Sequence, residues 1–126
     1  MVAGAADERF RRMYEVVAEA QRRAIAVIRP GIKGTTVDAA ARSYIDSTEF
    51  QGRFIHSTGH GLGLNVHDGG RFAPNVDLTL EENMVMTVEP GVYLPGIGGV
   101  RIEDDVVITR NGCELLTTAR KDMRVI

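Results

Sequence analysis

The sequence predicts an α+β domain, on three observations. Apolar residues recur at helical spacing through residues 10–27, β-branched residues crowd residues 84–89 and 100–109, and glycine-rich turn chemistry separates those two runs. At 126 residues with 44% hydrophobic content, the chain suits one compact domain with its own core. The expected arrangement is an antiparallel sheet with helices packed on one face.

Taken in order, Val2 and Ala3 followed by Gly4 read as the end of a strand entering a turn. Asp7 is the expected N-cap of the first helix. Its inward stripe is Phe10, Met13, Val17, Ala20, Ala24 and Val27, and Pro30-Gly31 stops it. Arg11, Arg12, Glu15, Glu19, Arg22 and Arg23 cover the outer side, and their mixed signs mark a solvated face. A second helix is expected over Thr36–Asp46, capped by Thr35 or Thr36, with Val37, Ala40, Ala41, Tyr44 and Ile45 inward. Phe54-Ile55 reads as a short strand, and Gly69–Asn83 as loop with a turn at Glu81-Glu82.

The C-terminal third carries the strongest β signal. Met84–Glu89 and Val100–Thr109 form a hairpin through LPGIGG, centred on Gly96 if Glu89 faces Glu103. Val85, Thr87 and Glu89 then share one side of their strand, and Arg101, Glu103 and Asp105 share one side of its partner. Asn111-Gly112 makes a further tight turn before Glu114-Leu115-Leu116.

Composition narrows the function classes. A net charge of −2 with dispersed Lys and Arg gives no electrostatic case for nucleic acid or an anionic membrane. The single Cys113 excludes an internal disulfide and suits a reducing cytosol. No run approaches the roughly 20 apolar residues that span a bilayer, and the N-terminus lacks a signal peptide's apolar centre. The expectation is a soluble cytoplasmic protein.

The chemistry concentrates in His56–Gly70, HSTGHGLGLNVHDGG, which holds all three histidines, His56, His60 and His67, among permissive glycines. With Glu89 in TVEPG and Glu103 in RIEDD, histidines and carboxylates on separate elements suggest a divalent-metal site. Arg101, on the side of Glu103, would orient that ligand. Competing readings fit less well. A phosphate cradle at Gly59, Gly61 and Gly63 lacks its lysine. A helical histidine pair would need a spacing of four, where His60 and His67 stand seven apart. Cys113 carries no sign of activation as a nucleophile and reads as structural. Glu81, Glu82, Asp104 and Glu114 read as surface charge.

HSTGHGLGLNVHD, MTVEPGVYLP and GGVRIEDDVVIT, in this order, resemble the pita-bread (M24-type) metallopeptidases, in the branch of Xaa-Pro aminopeptidases and prolidases. ADERFRRMYEVVAEAQRRAIAVIRPG also resembles that family's first helix, so the likeness covers nearly the whole chain. It implies half of a pita-bread (creatinase/aminopeptidase-like) fold, with residues 1–126 as the C-terminal portion of the catalytic domain. It assigns His60, Glu89 and Glu103 as metal ligands, Glu89 also lying beside the attacking water. By the same resemblance His67 and His56 would assist substrate binding and stabilise the tetrahedral intermediate. It also implies two ions, usually manganese or cobalt, activating a hydroxide that attacks the carbonyl of the bond between an N-terminal residue and proline. Asn83 departs from the glycine usual at its place.

The family takes two further ligands, both aspartates, from a hairpin before the first helix, and Met1-Val2-Ala3 resembles that hairpin's last residues. The chain thus resembles a C-terminal half with three of five ligands. The rest of the site is expected from an N-terminal half, or from a homodimer in which a second copy brings its own Glu89 and Glu103 near the places of the aspartates. The substrate implied is a proline-containing dipeptide or peptide. The alternative is a catalytically silent peptide-binding or protein-interaction module of the same fold.

Overall fold

The structure, a computed structural model, describes residues 7–124; the strand end expected at Val2–Gly4 lies outside them. The first helix, α1, runs Glu8–Val27, and Asp7 caps it by accepting the Phe10 N–H at 2.8 Å. Met13, Val16, Val17, Ala20 and Ala24 are fully buried along its inner face. The outer arginines find carboxylates: Arg22 and Arg23 both pair with Glu19, and Arg12 with Glu49.

The second helix, α2, spans Gly34–Asp46 and begins two residues before the expected start, with no side-chain cap. Neither Thr35 nor Thr36 serves, because the helix entry is tied by backbone. The Gly34 N–H donates to the Leu78 carbonyl at 2.8 Å, and Lys33 forms a β-bridge with Thr79. Val37, Ala41 and Ile45 are buried as expected, Ala40 and Tyr44 only partly, and Asp38 joins them in the interior.

Among the described residues seven short strands follow: β1 (Gly59–His60), β2 (Arg71–Phe72), β3 (Val85–Val88), β4 (Gly91–Leu94), β5 (Gly98–Arg101), β6 (Asp104–Thr109) and β7 (Gly112–Leu115). All pairings are antiparallel, and they form three small sheets, β1-β2, β3-β6-β7 and β4-β5. The helices pack on each other, with α1 lying against β3, β4, β5 and β7.

The long hairpin has the expected register. Val88 pairs with Asp104 and Gly91 with Arg101, so both ladders share one centre at Gly96, which turns with φ +74°. The ladder is interrupted where Glu89-Pro90 faces Ile102-Glu103, because Pro90 has no N–H to donate. Glu89 and Glu103 stand opposite each other at that break.

Three local expectations are corrected. Phe54-Ile55 is not a strand: the Phe54 carbonyl accepts from the Arg42 guanidinium at 2.8 Å instead of a neighbouring strand, and Ile55 is 74% exposed. The strands of this region lie within and just after the histidine run. The tight turn before β7 centres on Arg110-Asn111, one residue early, since Thr109 pairs with Gly112. The third is Asp104, expected at the surface and found 1% exposed. Alternation through Glu103 and β6 sends Glu103 and Asp105 one way and Asp104 the other, beside its cross-strand partner Val88. There it accepts from Gln21 Nε2 at 3.0 Å and from Thr117 Oγ1, and pairs with Lys121 at 2.7 Å. Asp104→Ala should therefore lower stability by about 1–3 kcal/mol, by taking a partner from the buried Gln21 and breaking the contacts to Thr117 and Lys121. Urea unfolding measures it, and a change under about 0.5 kcal/mol, ordinary for a surface site, would contradict this placement.

At Asn83 the backbone turns with φ +71°, in the left-handed region that favours glycine and that asparagine tolerates best among other residues.

Candidate metal centre

The histidine run is laid along the free edge of β3. The Glu89 N–H donates to the Thr58 carbonyl at 2.7 Å and the Leu62 N–H to the Val85 carbonyl at 3.0 Å. Between them, at His60, the backbone N–H turns to the Thr87 side chain, donating to Oγ1 at 3.0 Å. The approach at this point is so close that a β-carbon on Gly59 would overlap the Thr87 carbonyl, and one on Gly61 the Asp68 carbonyl. The glycines around His60 are thus there for backbone proximity.

Thr87 links the backbone of His60 to the side chain of Glu89. Its hydroxyl accepts from His60 N–H and donates to Glu89 Oε1 at 3.1 Å. His60 is 8% exposed, and its Nδ1 lies 3.0 Å from the Gly61 carbonyl. A carbonyl only accepts, so Nδ1 carries the proton and Nε2 presents its lone pair. That lone pair faces Glu89 Oε1 at 3.2 Å. Two acceptors aimed at one point call for a proton or a metal cation between them. Thr87→Val should cost about 1–3 kcal/mol, because it strands the buried His60 N–H; thermal or urea unfolding tests it against a parent-like value.

Arg101 lies over both carboxylates, with Nε 3.7 Å from Glu89 Oε2 and Nη2 3.7 Å from Glu103 Oε2. Burial pushes the Glu103 carboxyl upward from its ordinary value, and the charge of Glu89 adds to this, while Arg101 works against them. A crowded carboxylate pair of this kind is relieved by added positive charge. The ring of His67 stacks at a tilt on His60, centroids 4.2 Å apart, at the exposed end of the loop.

His56 sits apart from these. Its ring packs edge-on to Phe54 and Tyr93, with Nδ1 2.9 Å from the Ser57 carbonyl and Nε2 2.9 Å from the Tyr93 hydroxyl. Nδ1 therefore carries the proton, and Nε2 accepts from Tyr93. Cys113 is half-buried, its thiol pushed up by burial and 3.8 Å from the Ile25 carbonyl, in keeping with a structural role.

Among the described residues, no three His, Cys, Asp or Glu side chains converge as a complete metal cluster. The donor types at His60, Glu89 and Glu103, an imidazole and two carboxylates, nevertheless suit a hard or borderline divalent cation. Thr87 and Tyr93 were missed from sequence because a threonine or tyrosine in a β-rich run carries no mark of its cross-strand partner. No helix among the described residues is long and apolar enough to cross a membrane.

Residues 1–110 match metallopeptidase family M24. The chain is 43% identical over 123 residues to the Xaa-Pro dipeptidase of Pyrococcus furiosus, covering 98% of this chain and 35% of that protein. It is 42% identical over 123 residues to the Xaa-Pro dipeptidase of Lactobacillus helveticus, covering 98% and 33%. Among solved structures, it superimposes on a Pyrococcus horikoshii dipeptidase with a TM-score of 0.95 at 44% identity, covering 98% of this chain and 35% of that one. An X-Pro aminopeptidase from Thermotoga maritima gives 0.94 at 41%, covering 98% and 35%. The chain thus spans about a third of the length of these relatives.

Proposed function

Because the chain belongs to metallopeptidase family M24, we propose that it carries the histidine–glutamate side of a metal-dependent, proline-specific peptidase centre of the Xaa-Pro aminopeptidase or prolidase type. The chain is α+β with the pita-bread fold of its structural neighbours. The observation that carries the proposal is His60 Nε2 held 3.2 Å from Glu89 Oε1, with the opposite ring nitrogen pinned by Gly61.

In this proposal His60, Glu89 and Glu103 hold divalent metal, with manganese or cobalt favoured by the oxygen-rich donor set. Bound metal would supply Lewis acidity, polarising the scissile carbonyl and lowering the pKa of the attacking water. The protein groups do the rest. Glu89 takes the proton of that water, and Thr87 keeps its carboxylate turned toward His60. Arg101 balances the charge of Glu89 and Glu103 and orients both. His67 and His56 assist substrate binding and the stabilisation of the oxyanion developing on the carbonyl, His56 from the more distant position where Tyr93 and Ser57 hold its ring. The substrate is a dipeptide or peptide with proline in second position, and the setting is the cytoplasm. The remaining metal donors come from an N-terminal half or from a second copy of the chain.

The test is manganese content per chain, together with oligomeric mass and cleavage of an Xaa-Pro dipeptide beside an Xaa-Ala control. Metal uptake with cleavage confined to the proline substrate supports the proposal. A folded chain with neither would favour a silent peptide-binding module.

A further inference from the structure

We infer that Asp38 and Arg42, an ion pair on α2, are positioning residues that set where His60 stands relative to Glu89. The role rests on the peptidase proposal for its catalytic meaning, while the geometry stands on its own.

Asp38 is 1% exposed, and its carboxylate takes Arg42 in a two-pronged contact, with Nε–Oδ2 at 2.7 Å and Nη2–Oδ1 at 2.8 Å. Every other side-chain hydrogen bond of the pair among the described residues goes to the segment leading into His60. Arg42 donates to the Phe54 carbonyl and to the His56 carbonyl, each at 2.8 Å, and its guanidinium lies 4.3 Å over the Phe54 ring. Asp38 Oδ1 accepts the Thr58 hydroxyl at 2.8 Å and the Thr58 N–H at 3.2 Å, an N–H shared with the Phe72 carbonyl at 2.8 Å. The Thr58 carbonyl in turn receives the Glu89 N–H at 2.7 Å. An unbroken chain of bonds therefore runs from α2 through Thr58, two residues before His60, to the backbone of Glu89.

Burying an ion pair carries a desolvation penalty that a well-packed apolar pair would avoid, so stability alone is a weak reason for this one. Its bonds fix the backbone carbonyls of Phe54 and His56, which lie outside every strand, and add a side-chain hold to Thr58 beside its backbone bonds to Phe72 and Glu89. A donor pair must be held to within a fraction of an ångström to bind metal productively, and rigid helices hold better than loops. α2 supplies that rigidity.

Amide exchange in the metal-free full chain tests the inference, with imidazole nitrogen shifts reporting the His60 tautomer. Thr58→Val removes one hydroxyl and keeps the shape, Thr58→Ser keeps the hydroxyl, and Arg42→Lys keeps the charge but loses the fork. Thr58→Val and Arg42→Lys should speed exchange at His60 and Glu89 by about ten- to a hundredfold, with Val106 and Ile108 unchanged. Thr58→Ser should stay near the parent. Unchanged exchange at His60 and Glu89 in Thr58→Val would overturn the inference. So would a loss of protection spread equally over β6, which would make the pair a stabiliser and nothing more. If Arg42→Lys fails to fold, the two Thr58 variants decide alone. Because no metal enters the measurement, a chain that takes up no manganese defeats the peptidase proposal and leaves this one standing.

Discussion

Glu103→Gln should leave the chain folded and weaken manganese binding by about two to three orders of magnitude, with any Xaa-Pro cleavage falling at least as far. The side chain is 42% exposed at the interruption of the hairpin, so an amide of the same shape removes no core contact. What it removes is one of two carboxylates that face each other across the break. Burial, and after it the charge of Glu89, raise the carboxyl of Glu103 from its ordinary value, a crowding that added positive charge relieves. Arg101 offsets part of that crowding at 3.7 Å, too long for a close ion pair. Arg101→Met should therefore have a smaller effect, about 10–100-fold in metal affinity, as expected of a group that orients a ligand without binding metal. Calorimetric titration measures both. A Glu103→Gln chain with parental affinity would remove this residue from the metal site, whatever the family likeness implies.

Much of this arrangement is legible from the chain because it depends on alternation and turn chemistry. Gly96 sits midway between Glu89 and Glu103, and a hairpin turning there puts the two carboxylates on one face; the observed pairing of Val88 with Asp104 follows the same count. The α1 stripe and the Asp7 cap are equally local signals. Asp104 shows where locality fails. Its side follows from alternation once Glu103 is placed, yet its charge suggests solvent, and only the distant Gln21, Thr117 and Lys121 make burial tolerable. Asp38 and Arg42 stand four apart on a helix face, a pattern more often found in water, and nothing nearby announces that their partners lie at Phe54, His56 and Thr58. The Thr87 hydroxyl is the same kind of case, since it replaces a backbone acceptor, and such a substitution leaves no trace in hydrophobic periodicity.

Gly59→Ala should have the larger effect on stability, about 3 kcal/mol or more, above the usual range for one added methyl group in a packed interior. The reason lies in what the methyl would meet. At most crowded sites the neighbour is a side chain that can rotate away, whereas here it is the Thr87 carbonyl, fixed by the pairing of β3 with β6. Relief requires the histidine segment to lift from β3, which breaks the bonds from Glu89 N–H to Thr58 and from His60 N–H to the Thr87 hydroxyl. The same movement separates His60 Nε2 from Glu89 Oε1. Lost stability and lost metal affinity should thus appear together in Gly59→Ala. Gly112→Ala, where an added methyl meets only the Ile28 carbonyl at an ordinary 3.9 Å, should leave metal affinity unchanged. Urea unfolding and manganese titration on the two variants separate the outcomes. If Gly59→Ala unfolds earlier but binds metal as the parent does, the close approach at Gly59 serves packing alone, and the placement of His60 must come from the α2 side.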